Sequence, residues 1–248
     1  MATKKVYRNE WKYLLTNQQL SMLKSRIEKV LELDSHTPSN GKYNIHSLYF
    51  DDHVDTALYT TNSGLSERYK WRIRYYGDDL SYIVLEKKEK KESRCCKKSC
   101  KITVEEYNTI VNGNICDLVY DTKKALIKEL AVEIMTKNLK PKVIVDYERI
   151  AYVEQITNVR ITSDMKISAS YDIDKFLTGE YQNFYILPSG TNLLEVKFDN
   201  ILPSYIRRLV ESYNYEQIKK NELTLEAKEE MQIINEILND STTHQKNR

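Results

Sequence analysis

Arg68-Tyr69-Lys70-Trp71-Arg72-Ile73-Arg74-Tyr75-Tyr76-Gly77 is the stretch on which the reading of this chain turns. Every even position from 68 to 74 is basic, and the odd positions are aromatic or aliphatic. Successive side chains of a β-strand point to opposite faces, so a strand here puts four cations on one surface and Tyr69, Trp71, Ile73 and Tyr75 on the other. Cations two residues apart on a strand lie roughly 6.6–7 Å from one another and repel unless an anion or carboxylates stand between them. The pattern predicts a strand with a buried apolar back and a front that meets a polyanion.

The same alternation recurs outward from this stretch. Residues 7–15, 43–50, 67–76, 82–88, 142–152, 159–168 and 192–198 read as strands by their period of two, with a further one near 99–103. Arg8, Glu10 and Lys12 share a face, as do Val84, Glu86 and Lys88, then Arg160, Thr162 and Asp164; Glu195 and Lys197 lie opposite Leu194, Val196 and Phe198. If helices cover the apolar faces, the charged faces look into an enclosed space. That predicts an α+β fold: a closed antiparallel β-barrel with a charged lumen and surrounding helices.

Helices fall between these strands. Thr16 with Gln19, and Thr103 with Glu106, have the spacing of capping boxes. Leu20, Leu23, Ile27, Val30 and Leu31 then make an apolar stripe, and 122–138 carries Leu126, Leu130 and Ile134 on one face. From Pro203 onward the chain reads as helical, ending in a frayed tail at 241–248, so 1–240 is expected to be a single domain.

Composition bounds the function. The chain has 248 residues, 41% of them hydrophobic, and a net charge of +2; a general nucleic-acid coat is excluded by that balance. Yet between Ser66 and Lys101 there are 12 Lys/Arg against 6 Asp/Glu, so basic charge is concentrated where an anionic ligand would be met. No apolar run reaches the roughly 18 residues of a membrane span and the N-terminus lacks a signal-peptide core, which predicts a soluble cytoplasmic protein. No GxGxxG or GxxxxGK[ST] follows a strand, and no GxSxG occurs. Cys95, Cys96, Cys100 and Cys116 form no CxxC pair, and His36, His46, His53 and His244 no HxxxH pair, so they read as reduced thiols and as surface or packing residues. A single-strand nucleic-acid barrel is disfavoured because alternation separates Tyr69, Trp71 and Tyr75 from the cations.

Glu10-Trp11-Lys12-Tyr13, Ser47-Leu48-Tyr49-Phe50-Asp51-Asp52, Arg72-Ile73-Arg74-Tyr75-Tyr76-Gly77, Leu85-Glu86-Lys87-Lys88, Tyr147-Glu148-Arg149-Ile150-Ala151-Tyr152, Val159-Arg160-Ile161-Thr162-Ser163-Asp164 and Leu194-Glu195-Val196-Lys197 together resemble the VTC domain. This is the polyphosphate polymerase domain of the vacuolar transporter chaperone complex and its bacterial relatives. The resemblance runs from about Val6 to Lys220 and is of the stand-alone bacterial type.

It implies a triphosphate tunnel fold that holds ATP or a polyphosphate chain with a divalent metal, Mn²⁺ or Mg²⁺, and transfers the terminal phosphoryl group of ATP to the growing chain. Carried over by position, Arg72, Arg74, Lys88, Arg149 and Arg160 resemble the catalytic tunnel cations. Lys12, Tyr147, Lys197 and Lys220 resemble substrate contacts, and Glu195 the metal-binding glutamate. Strand parity adds Lys70. Lys98 and Lys101 are weaker phosphate candidates, while Glu10 and Glu86 read equally as metal ligands or as partners that orient the cations. A membrane-protein partner is a further expectation. Where the family ends its tunnel with a Ser-Lys signature, this chain has Gln217-Ile218-Lys219-Lys220-Asn221, with no counterpart to the serine. Three activities stay open: polymerase, triphosphate hydrolase, and noncatalytic polyphosphate-binding module.

Overall fold

The computed structural model describes residues 8–38, 40–92, 94–211 and 216–217. In chain order the elements are β1 (Arg8–Thr16), α1 (Asn17–Ile27), β2 (Glu32–Leu33), β3 (Tyr43–Asp51), α2 (Thr56–Asn62), β4 (Glu67–Tyr76), β5 (Asp79–Lys91), β6 (Arg94–Ile102), α3 (Val104–Val111), α4 (Ile115–Asp121), α5 (Ala125–Lys137), β7 (Lys140–Glu154), β8 (Val159–Ser170), β9 (Phe184–Tyr185), β10 (Thr191–Phe198), α6 (Ser204–Glu211) and β11 (Glu216–Gln217).

Both capping boxes form. Thr16 accepts from Gln19 N at 3.2 Å while Gln19 Oε1 accepts from Thr16 N at 2.8 Å, and Thr103 and Glu106 do the same for α3. The helix expected at 122–138 begins only at Ala125, because Thr122 and Lys124 have extended backbones and Thr122 Oγ1 accepts from Lys124 N instead. The strand expected near 99–103 is longer and starts at Arg94; its Cys/Lys-rich half carries few β-branched residues to announce it. The helical reading from Pro203 holds for α6, but at 216–217 the chain is a strand paired with β1. Lys220, Leu225, Met231 and the 241–248 tail lie outside the described residues.

All pairings are antiparallel. The strands run β2-β7-β3-β4-β5-β6-β1-β10-β8-β9 in one mixed-length sheet, and β7 also pairs with β8. The order therefore returns on itself through β7–β8, although β6 and β1 share only two residue pairs, Arg8 with Cys95 and Asn9 with Arg94. Register lines up Tyr49, Arg72 and Glu86 across β3, β4 and β5, Lys70 with Lys88, Glu10 with Lys197, and Lys12 with Glu195.

The apolar cores lie on one side of the sheet, the side opposite the cations. Trp71, Ile73, Tyr75, Ile83 and Leu85 pack beneath Tyr107, Ile110, Leu126, Ile127 and Leu130 of α3 and α5. Tyr13, Leu15, Ile161, Leu194 and Val196 pack beneath Leu23 and Ile27 of α1 and Ile206 and Val210 of α6. Burying each large apolar side chain is worth about 1.5–3 kcal/mol, so the helices hold down the odd-numbered back of β4 and leave its even-numbered front to the polar side. Among the described residues no helix is long and apolar enough to cross a membrane.

Candidate functional site: a basic face over buried carboxylates

The polar face is built in two tiers. At the bottom are carboxylates with almost no exposure: the side chains of Glu86, Glu10 and Glu195 are 1%, 3% and 6% exposed. Above them lie ammonium groups that remain accessible, Lys97 at 50%, Lys88 at 32% and Lys12 at 24%. Glu86 is clasped on both oxygens, by Arg72 Nε on Oε2 and by Lys97 Nζ on Oε1, each at 2.6 Å. Lys88 Nζ donates to Glu10 Oε2 at 3.1 Å. Lys12 Nζ lies 3.5 Å from Glu195 Oε2 and 3.8 Å from Glu10 Oε1. Lys197 Nζ pairs with Glu195 Oε1 and lies 3.8 Å from Glu10 Oε2.

Two arginines are set deeper. Arg74 donates from Nε to Ser47 Oγ at 3.0 Å and from Nη2 to the Tyr147 hydroxyl at 2.8 Å. Arg149 makes a two-pronged bond to Asp164, at 2.6 and 2.7 Å, and stacks its guanidinium over the Tyr147 ring, 5.0 Å from the centroid. A bulge between Asp146 and Glu148 in the β7–β8 ladder, with Lys166 opposite at φ 52°, sets Tyr147 at this point. Arg160 stands at the rim, 37% exposed, 2.9 Å from Asp34 Oδ2 and donating to the Tyr43 hydroxyl at 3.3 Å.

The electrostatics follow from this crowding. Burial opposes ionisation of Glu10, but Lys88, helped by Lys12 and Lys197, holds its carboxyl down at about 2. Burial likewise opposes a charged Glu195, and Lys197, Lys12, Lys88 and Arg149 overcome it, keeping the group well below the usual carboxylate range. Lys70 has no ion-pair partner among the described residues; burial, with Lys88, Lys12 and Arg68 around it, outweighs Tyr49 and brings it down to about 8. The Tyr49 hydroxyl accepts from Arg72 Nη1 at 3.0 Å, and although burial disfavours a phenolate, Arg72, Arg74 and Lys70 draw it down to about 7. A surface of this kind is prepared for an anion of several charges.

The sheet thus gathers Lys12, Lys70, Arg72, Arg74, Lys88, Tyr147, Arg149, Glu195 and Lys197 along its polar face, with Arg160 at the rim. Lys98 is not among them: it lies on the outer side and donates to Glu129 of α5 at 2.8 Å, one parity step away from Lys97. Glu10 and Glu86 act here as partners that orient cations. Sequence reading passed over Tyr49, Ser47 and Lys97, and gave Asp164 no role, although Tyr43, Ser47 and Tyr49 keep one strand parity and could have been placed by it.

Among the described residues no three His, Cys, Asp or Glu side chains gather closely enough to form a metal cage. Glu195 is the carboxylate placed to share an ion with a ligand: among the described residues its buried Oε1 is engaged by the Lys197 ammonium alone. A hard divalent cation bound by one or two carboxylates completes its shell with phosphate oxygens and water.

Comparison with known proteins bears on this arrangement. The VTC domain model matches residues 7–221. The chain belongs to the VTC domain family. No curated protein matches it. Among solved structures, this VTC domain is similar to a provisionally assigned adenylyl cyclase of Hippeastrum, described as having a dominant triphosphatase activity: 15% identity, 83% of this chain and 85% of that one covered, TM-score 0.50. It also resembles a provisionally assigned adenylate cyclase of Bacillus halodurans, at 12% identity, 87% and 94% coverage and TM-score 0.47. At such identities the Hippeastrum likeness shows a shared fold.

Proposed function

We propose that this VTC domain closes its sheet into a barrel and binds a triphosphate or polyphosphate chain along the lumen, acting as an ATP-dependent polyphosphate polymerase. The observation that carries this reading is the tiering of charge: carboxylates sealed at the base hold the ammonium and guanidinium groups in place, and those groups face the space a ligand would fill. Neighbouring cations in such a row are stabilised by the ligand itself.

Phosphoryl transfer needs no protein nucleophile. An oxygen of the chain's terminal phosphate attacks the γ-phosphorus of ATP in line, the bond from that phosphorus to the β,γ-bridging oxygen breaks, and ADP leaves with the electron pair. In this scheme Arg72, Arg74, Lys88, Arg149 and Arg160 neutralise charge along the phosphates of donor and acceptor, and Lys12, Lys70, Tyr147, Lys197 and Lys220 align them. Glu195, with Glu10 beside it, is the group suited to hold Mn²⁺ or Mg²⁺. Such an ion, when bound, offsets phosphate charge and fixes the orientation of the oxygens it touches.

The second reading is hydrolysis, with water in place of the chain end, favoured by the activity stated for the Hippeastrum protein. A third is chain binding without turnover, favoured by the missing serine before Lys220. Incubating the full chain with ATP and Mn²⁺ or Mg²⁺, then resolving polyphosphate, free phosphate and ADP, tests all three. Polyphosphate with stoichiometric ADP is expected; phosphate release alone would replace the polymerase by the hydrolase, and no turnover with retained tripolyphosphate binding would leave the binding module.

A further inference from the structure

One end of the polar face differs in chemistry from the rest. Tyr43, Tyr76 and Tyr82 form a row there, with ring centroids 6.1 Å apart for Tyr43–Tyr76 and 6.3 Å for Tyr76–Tyr82. Lys101 Nζ lies over the Tyr82 ring at 5.7 Å. Beneath the row the lining turns apolar. Ile45, fully buried, is the register partner of both Tyr76 and Tyr147, and Val84, 6% exposed, is the partner of Arg74. Both share the parity of the lumen residues, and neither belongs to the two cores under the helices.

An apolar floor with an aromatic wall does nothing for a bare phosphate chain. It suits a flat, weakly hydrated ring, and base–aromatic stacking is the usual way a protein holds a nucleobase without reading its edges. Tyr76 stands two residues from Arg74 on β4, roughly 6.6–7 Å along the strand. A base against Tyr76 therefore leaves a ribose-length step to a first phosphate beside Arg74, with Arg72 and then Lys70 and Lys88 next along the face. At the opposite end stand Arg68, Lys70 and Lys88, and the one tyrosine there that the site uses, Tyr49, already has the Arg72 guanidinium over its ring at 5.9 Å.

We propose that Tyr76 and Tyr82, over Ile45 and Val84, form a nucleobase subsite that fixes the direction in which a nucleoside triphosphate enters the lumen, base at the tyrosine end and γ-phosphate toward Lys70 and Lys88. This rests on the triphosphate reading above and adds a purine or pyrimidine ring as a second recognised group. The platform discriminates little among bases, because each presents a π-face, and it separates nucleoside triphosphates from inorganic tripolyphosphate.

The test is calorimetric titration of the full chain, in chelator, with ATP and separately with tripolyphosphate. Tyr76→Leu and Tyr82→Leu should each weaken ATP by roughly 5- to 150-fold and leave tripolyphosphate within twofold, and Tyr76→Phe should restore ATP affinity. Equal losses for both ligands would mean that the tyrosines act through the fold or the phosphate site, and unchanged ATP affinity would mean that the base lies elsewhere; either overturns the proposal. Should the unaltered chain bind neither ligand, the triphosphate reading fails first and takes this subsite with it.

Discussion

Arg149 and Asp164 face each other across β7 and β8 in a two-pronged ion pair, Nε to Oδ1 at 2.6 Å and Nη2 to Oδ2 at 2.7 Å, with both side chains buried. The pair sits on the ladder through which the strand order returns on itself. One contact therefore ties the architecture to the charge lining. Burial alone would lower Arg149, but Asp164, with the Tyr147 hydroxyl and Glu195 nearby, holds it well above its ordinary value.

Asp164→Asn should consequently destabilise the free protein. Removing one member of a buried pair costs about 3 kcal/mol at the low end, the end expected here because Glu195 also faces Arg149. In a domain of this size that is a fall of about 6–12 °C in Tm. Tripolyphosphate should recover part of it by supplying the missing anion. Thermal melts with and without the ligand check this, and an equal loss in both would remove Arg149 from the phosphate contacts.

Arg74 and Glu195 should separate when each is altered alone. Arg74→Ala removes a charge-assisted donor, worth about 1.5–3 kcal/mol, so tripolyphosphate affinity should fall roughly 10- to 150-fold with or without Mn²⁺. Glu195→Gln removes a negative charge beside Lys12 and Lys197; metal-free phosphate binding should persist or tighten, while metal-dependent turnover is lost. Retention of the full Mn²⁺-dependent thermal shift and turnover in Glu195→Gln would show that this carboxylate only pairs with lysines.

The polar face also predicts opposite pH trends for stability and for binding. Tyr49 at about 7 and Lys70 at about 8 both lie below the values near 10 of unfolded groups. Over that window the native state has released protons that the unfolded chain still holds, so stability rises with pH, and it falls as pH drops back through the native values. Anion affinity goes the other way, because a phenolate appears and an ammonium disappears. Tripolyphosphate itself gains negative charge on the same interval, so a fall in affinity comes from the protein. Urea unfolding and calorimetry between pH 6.5 and about 9.5 measure the two; Tyr49→Phe should remove the step near 7 and Lys70→Arg the step near 8.

On the outer side, Lys87 is buried against α5, 2.7 Å from Glu133 Oε1 and 2.9 Å from Glu129 Oε1, with its ammonium 4.2 Å from the Tyr69 ring centroid. Glu133→Ala should cost about 1–3 kcal/mol in urea unfolding, whereas the double change Lys87→Met with Glu133→Leu, which removes both buried charges and keeps the volume, should be closer to neutral. Neither should change tripolyphosphate affinity. A parallel loss of binding would mean that α5 controls the polar face through the back of β4 and β5.

What the chain alone determined is parity. Whether Arg72 or Trp71 points to the polar side depends on the two-residue repeat of an extended backbone, a local property, and so the faces of β4, β1, β8 and β10 and the two Thr-capped helix starts were legible without a structure. Register and partner choice are not local. Lys88 meets Glu10 from 78 residues away, Lys98 turns out to Glu129 while Lys97 turns in to Glu86, and Asp34, from the segment after β2, reaches Arg160 at the rim. The bulge that sets Tyr147 beside Arg74 and the apolar end under Tyr76 arise only once β3, β4, β5, β7 and β8 have paired. Each strand's sequence prescribes which side chains share a face, but the sum of long-range pairings decides which opposite charges are brought within bonding distance, and that sum is written in no single segment.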